Sequence, residues 1–223
     1  MRSLTDAPPA TPHFVTAGFA PHTVPYRDGL ALQRDAAERV RTRADRGTVF
    51  LLEHEAVYTA GRRATPDEYP RDGTPVVDVD RGGRVTWHGP GQLVAYPVIK
   101  LAPGVGVVDL VRGLEQVIID AAAELGANGF RVAGRSGVWA DDGGPAPAKF
   151  AQIGLHASDG IITHGLALNC SNDLTPFSGF VPCGITDAGV TSVSALAGRR
   201  VTPADAAPVL QERLAAALTE FAA

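Results

Sequence analysis

Two side chains in this 223-residue chain carry chemistry that their neighbours cannot supply, Lys149 and Cys183. Of the 20 basic residues, only Lys100 and Lys149 are lysine, so arginine serves wherever a fixed positive charge is enough. A lysine differs in having a proton it can give up, which burial or a neighbouring cation makes easier and which arginine cannot match. Lys149 therefore reads either as a proton carrier or as a surface charge that escaped replacement, and Lys100 as the latter. Cys183 stands between Pro182 and Gly184, after "FSGFV", in a turn able to present a sulfur and nearby backbone N–H groups to a cleft. A thiolate beside an ammonium exchanges acyl groups readily with thioesters. The alternative is a small buried hydrophobe. Cys170, which alternates with Leu166 and Leu168 in "GLALNC", fits that second description.

Two histidines lie beside glycine, His88 in "RGGRVTWHGPGQ" and His164 in "THGLALN". No acidic or cysteine ligand stands at a useful spacing from either, so no metal is expected; both read as pocket or hydrogen-bonding groups. The glycines and prolines around His88 suggest a built loop at a sheet edge, where the main chain comes close to something. The glycines of "QIG" and "HGLA" would let a flat, apolar chain lie against the backbone. There is no phosphate-binding glycine loop, "HEAVY" lacks the second histidine of a zinc-protease helix, and "GRSG" is not a nucleophile elbow.

These groups must be held by a mixed scaffold. Leu32, Ala36 and Val40 recur at helical spacing, with Asp28 as cap and Gly47 as stop. "TVFLL", "TPVVDV" and "LVAYPVI" read as strands, with a loop region "YTAGRRATPDEYPRDG" between the first two. A second helix is capped by Asp109, turns Leu110, Leu114, Val117 and Ile118 inward, and ends at Gly126. Then "FRVAG", "GVWA", "AKFAQIGLHA" and "GIITHGLALNC" suggest a hairpin-linked sheet. A last helix starts at Pro203 with Thr202 and Asp205 as its capping pair. This order predicts an α+β fold, a mixed and largely antiparallel sheet flanked by helices. One domain over 1–223 is expected, with residues 1–13 loose.

Composition narrows the function. With 45% apolar residues the chain can bury one sizeable core. A net charge of −4 and a pI near 5.8 argue against nucleic acid or an anionic membrane as the main partner. Without an apolar leader or a run long enough to span a bilayer, a cytoplasmic location is expected, with free thiols.

"YTAGRR", "RGGRVTWHGPGQLVAYPVIKL", "AKFAQIGLHASDGIITHGLALN" and "FVPCGITDAGVTSV" together resemble, in order and over residues 50–195, the lipoyl(octanoyl) transferases. The resemblance implies the fold of biotin and lipoate protein ligases. It implies transfer of an octanoyl group from acyl carrier protein, without a cofactor, to a lysine of a lipoyl domain. The acceptors it implies are the 2-oxoacid dehydrogenase E2 subunits and the glycine cleavage H protein. It carries the catalytic pair onto Cys183 and Lys149. Substrate contacts carry over onto Arg81, Gly82, Gly83, Arg84, Val85, Thr86, Trp87 and His88, onto Gln152, Ile153 and Gly154, and onto Gly165, Leu166 and Ala167. On this reading His88 sits at the mouth of an acyl tunnel and His164 is a further pocket polar group, with Arg62, Arg63 and Arg84 as a basic docking patch. Trp87 replaces a usual tyrosine or phenylalanine, and "DDGGPAP" is a long lead into Lys149. An ATP-dependent lipoate or biotin ligase, and a non-catalytic carrier-binding module, are the alternative readings.

Overall fold

The computed structural model describes residues 11–179 and 188–223. Its main sheet is assembled from β1 (His13–Gly18), β2 (Gly47–Leu52), β6 (Gln92–Lys100), β10 (Ile161–Asn169), β9 (Ala148–Ser158), β8 (Arg135–Ala140) and β7 (Phe130–Val132), in that spatial order. A short strand β11 (Gly189–Val190) joins β9 in parallel, and β1 pairs with β2 in parallel; the other pairings in this sheet are antiparallel. A second sheet carries β3 (Val57–Ala60) between β4 (Val76–Asp78) and β5 (Val85–His88). The α+β architecture expected from the sequence is the one observed.

Both faces of the main sheet are covered, which explains its near-continuous apolar strands. Period-two alternation sends Val49 and Leu51 of β2, with Leu93, Ala95 and Ile99 of β6, to one face. There they meet helices α2 (Val107–Glu124) and α4 (Pro203–Phe221), through Leu110, Leu114, Ile118, Leu210 and Leu214. The intervening Phe50, Leu52, Val94, Tyr96 and Val98 face helix α1 (Tyr26–Arg41), against Ala36, Ala37 and Val40. Truncating one of the fully buried leucines to alanine costs about 2–5 kcal/mol in such a setting. A short helix α3 (Val193–Ala197) precedes α4. No described helix is long and apolar enough to cross a membrane.

Several local expectations change. Helix α1 begins at Tyr26 after Pro25, with no side-chain cap; Asp28 lies in its first turn, and the helix ends at Arg41 rather than near Gly47. Leu32 is only half-buried, because the inward face runs through Gly29, Gln33, Ala36, Ala37 and Val40. Asp109 is the third helical residue of α2, and its carboxylate accepts from the Gly106 N–H at 2.9 Å. Residues 57–60 form a strand and not a loop. The stretch around His88 is likewise strand β5 and the start of β6, joined by a tight turn. Gly91 in that turn has φ +87, and a side chain there would meet the Asn172 backbone. Residues 1–10 lie outside the described residues, and His13 already belongs to β1.

Candidate active site

A mostly apolar cavity of about 250 Å³ lies along the β9–β10 hairpin, under β5 and the 81–83 turn, with Val107 and Val111 of α2 at its side. Antiparallel register explains why two distant sequence stretches line it together. Gln152 faces Ala167, Ile153 faces Leu166, Gly154 faces Gly165 and Leu155 faces His164. Arg81, Gly82, Gly83, Thr86 and His88 complete the wall from above. The same alternation removes others: Val85 and Trp87 point to the opposite face of β5, into a cluster with Tyr58 and Phe177. Arg84 does not border the cavity and is ion-paired with Glu68.

The glycines serve a different purpose from the one expected. A Cβ on Gly154 would stand 3.0 Å from Arg81 Cδ, and one on Gly165 only 2.0 Å from the Ala95 carbonyl oxygen. Their missing side chains let protein walls close on one another, and so fix the cavity's shape rather than make room for a ligand at those points.

Lys149 is 5% exposed, on β9, with its Nζ 4.6 Å from the centre of the Trp139 ring, a cation–π distance. Two features make room for it. The β8–β9 register shifts by one residue beside it, so that Val138 pairs with Ala151 and Trp139 with Lys149. Gly137, at φ +97, leaves open the space next to Lys149 Cε that a Cβ would enter at 3.3 Å. The Gly137 N–H donates at 3.0 Å to Glu115, a fully buried carboxylate also paired with Arg112 and Arg131. Beyond Lys149, Val190 pairs with it and Thr191 N–H donates to its carbonyl at 3.0 Å. Cys183 and Gly184 lie outside the described residues. Cys170 is fully buried, and burial pushes its thiol up to about 12.

A polar layer behind the cavity was not foreseen as a unit. His88 is buried at the inner wall, not at a mouth, and its Nδ1 lies 2.8 Å from Gln92 Oε1. Since that oxygen can only accept, Nδ1 carries the proton. Gln92 in turn donates to Asn169 Oδ1 at 2.9 Å, and Asn169 donates to the Thr191 carbonyl at 3.0 Å. This chain of bonds joins the cavity wall to the segment paired with Lys149. On the other side His54 donates from Nδ1 to the Val24 carbonyl at 2.8 Å and accepts from Tyr96 Oη at 2.7 Å, while the Tyr26 ring stacks on His88. Arg81 Nη2 donates at 2.7 Å to both the carbonyl and the hydroxyl oxygen of Thr59. Gln92, Tyr96 and Asn169 belong to the stretches that carry the family resemblance; Tyr26 and His54 come from separate segments outside them.

Comparison with known proteins places the chain. Residues 25–215 match the lipoyl protein ligase A/B catalytic domain. An octanoyltransferase of Clavibacter sepedonicus is 52% identical over 213 residues, 94% of this chain and 92% of that protein. One of Salinispora arenicola is 53% identical over 194 residues, 86% and 91% of the two chains. The chain belongs to the lipoyl protein ligase A/B catalytic family, among its octanoyltransferases. It is an acyl-transferring enzyme. The fold agrees with more distant structures: a lipoate-protein ligase A bound with ATP superposes with a TM-score of 0.73 at 15% identity, over 94% of this chain and 86% of that one. A bipartite lipoate protein ligase of Thermoplasma acidophilum gives 0.72 at 15% identity, over 93% and 84%.

The buried imidazoles make stability depend on pH. Burial lowers His54 to about 4 and His88 to about 3, so both are neutral in the folded protein at neutral pH. Above about pH 6.5 the unfolded chain is neutral there too. As pH falls below that value the unfolded state takes up protons that the folded state refuses until its own lower values are reached. Each histidine then removes up to about 1.4 kcal/mol of stability per pH unit. Urea unfolding between pH 7 and pH 4.5 should be steeper for the natural protein than for His54→Gln. Equal slopes would contradict the assignment of a neutral His54.

Proposed function

We propose that the enzyme moves an octanoyl group from acyl carrier protein to a lysine amine of a lipoyl domain, through a thioester on Cys183, with Lys149 carrying the proton. The observation that carries this reading is that one strand, β9, holds both the buried Lys149 and the cavity-lining Gln152, Ile153 and Gly154, and is hydrogen-bonded to the segment following Cys183. At about 30 Å³ for a water-sized group, the cavity holds roughly eight heavy atoms. That is the size of an octanoyl chain.

The steps balance as follows. The Cys183 thiolate attacks the carrier's thioester carbonyl, and the resulting oxyanion is met by backbone N–H groups near Gly184. The intermediate collapses by expelling the carrier thiolate, which receives a proton from the Lys149 ammonium. The acyl-enzyme now has a neutral Lys149 amine. The acceptor's lysine amine attacks the acyl carbonyl, passes a proton to Lys149, and the Cys183 thiolate leaves. The thioester supplies the activation, so the cycle consumes no nucleotide. The acceptors proposed are the E2 lipoyl domains and the glycine cleavage H protein, and the whole chain is read as one catalytic unit.

Lys149→Arg is expected to lose transfer to a lipoyl domain nearly as completely as Lys149→Ala, because arginine keeps the charge and cannot release the proton. Assays with octanoyl carrier protein in the absence of ATP check this. Near-normal turnover by the arginine variant removes the proton-carrier role, and dependence on ATP makes the enzyme a ligase.

The carrier is acidic and the chain itself is net negative, so encounter requires a local basic surface. Arg84 is occupied by Glu68, which leaves the exposed Arg62 and Arg63 as the proposed contacts. Arg63 also borders the cavity, so the clean test is Arg62→Glu, which should raise KM for octanoyl carrier protein and flatten its dependence on ionic strength, with turnover of a small octanoyl thioester hardly changed. Equal losses on both donors would contradict a docking role for Arg62.

A further inference from the structure

The cavity stops at a strained residue. His164 has φ +58 in the middle of β10, a left-handed conformation that a strand histidine adopts only when its surroundings impose it. It stands opposite Pro97, which has no N–H for the ladder. The β6–β10 pairing is accordingly interrupted between Ile162–Ile99 and Leu166–Ala95. The released His164 N–H donates instead to Gln33 Oε1 of α1 at 2.6 Å. Its Nε2 is 2.7 Å from Asp80 Oδ1, and His156 lies 3.4 Å from the other oxygen of the same carboxylate.

The position of this clamp is informative. From Lys149 to Leu155, the cross-strand partner of His164, there are six residues of β9, about 20 Å at the rise of a strand. The paired residues that line the cavity run from Gln152–Ala167 to Leu155–His164, so His164 marks the end farther from Lys149, which lies on β9 before Gln152. Beyond His164 lies a larger groove of about 870 Å³, between α1 and the turn end of the hairpin, with Ile161, Val79 and Ala37 among its walls. His164 borders both spaces, its side chain only 4% exposed. His164 is thus the residue common to a chamber for a short chain and room for a much longer one.

We propose that His164, clamped by Asp80, is the end stop of the acyl cavity and sets the upper limit on acyl chain length. This rests on the reading of the cavity as the acyl site. Removing the ring joins the chamber to the groove, and glycine suits the backbone at φ +58 better than histidine does.

The test is transfer from small acyl thioesters running from octanoyl through decanoyl and dodecanoyl to tetradecanoyl, with His164→Gly, His164→Ala and Asp80→Asn beside the natural enzyme. The natural enzyme should lose about tenfold or more in kcat/KM between octanoyl and dodecanoyl, the scale on which a closed pocket rejects extra methylenes. In His164→Gly or His164→Ala the dodecanoyl-to-octanoyl ratio should rise by about tenfold or more, and in Asp80→Asn by less, since the ring stays but loses its clamp. An unchanged ratio in a folded His164 variant overturns the proposal. So does a natural enzyme that transfers tetradecanoyl as well as octanoyl, a result needing no variant. If the natural enzyme transfers no acyl group of any length, it is the acyl-transfer reading that fails.

Discussion

The antiparallel pairing of β9 with β10 is the constraint on which the site depends. It sets Gln152 opposite Ala167 at one end of the cavity and Leu155 opposite His164 at the other, and between them aligns Ile153 and Gly154 with Leu166 and Gly165. A slip of one residue would turn every one of these side chains to the opposite face. Gly154 and Gly165 hold the register tight, because any side chain at either point strikes Arg81 or the β6 backbone. Insertion of Phe150 as an extra residue opposite β8 then places Lys149 in the room left by Gly137.

A cavity shaped by backbone contact needs a wall that does not swell or take up charge. The imidazoles and phenols of this wall are neutral, and its one fixed charge, the buried Arg81, is held by the two oxygens of Thr59. His54 and His88 are held below their ordinary range by burial, while burial pushes Tyr26 up to about 12. Each imidazole finds a protein partner for its Nδ1 proton, so the layer avoids the cost of orphaned groups and keeps one tautomer. Through Gln92, Asn169 and Thr191 the same layer reaches the strand of Lys149. A change at His88 is thereby mechanically linked to the strand of Lys149 without touching it.

The strands β2, β6, β9 and β10 and the helices α2 and α4 were legible because their patterns are long and their caps and glycines conventional. Strands β1, β3 and β5 were not: β1 lies at a sheet edge, β3 and β5 span four residues each, and glycine and proline crowd their flanks. Among the site residues, those paired across the hairpin were readable as stretches. The period of two along β5 separates Thr86 and His88 from Val85 and Trp87, and that follows only once β5 is known to be a strand. Tyr26, His54 and Tyr96 meet through tertiary packing of α1, the end of β2 and β6, which no local pattern announces.

The central claim is covalent: the acyl group passes through Cys183. Peptide-mapped mass spectrometry after brief incubation with octanoyl carrier protein, without ATP and without an acceptor, tests it most directly. The account predicts one octanoyl group on Cys183, removable by hydroxylamine, and none on Cys170, which is fully buried with its thiol pushed up to about 12. An octanoyl group on Cys170 or Lys149, or one that forms only when ATP is supplied, would contradict it.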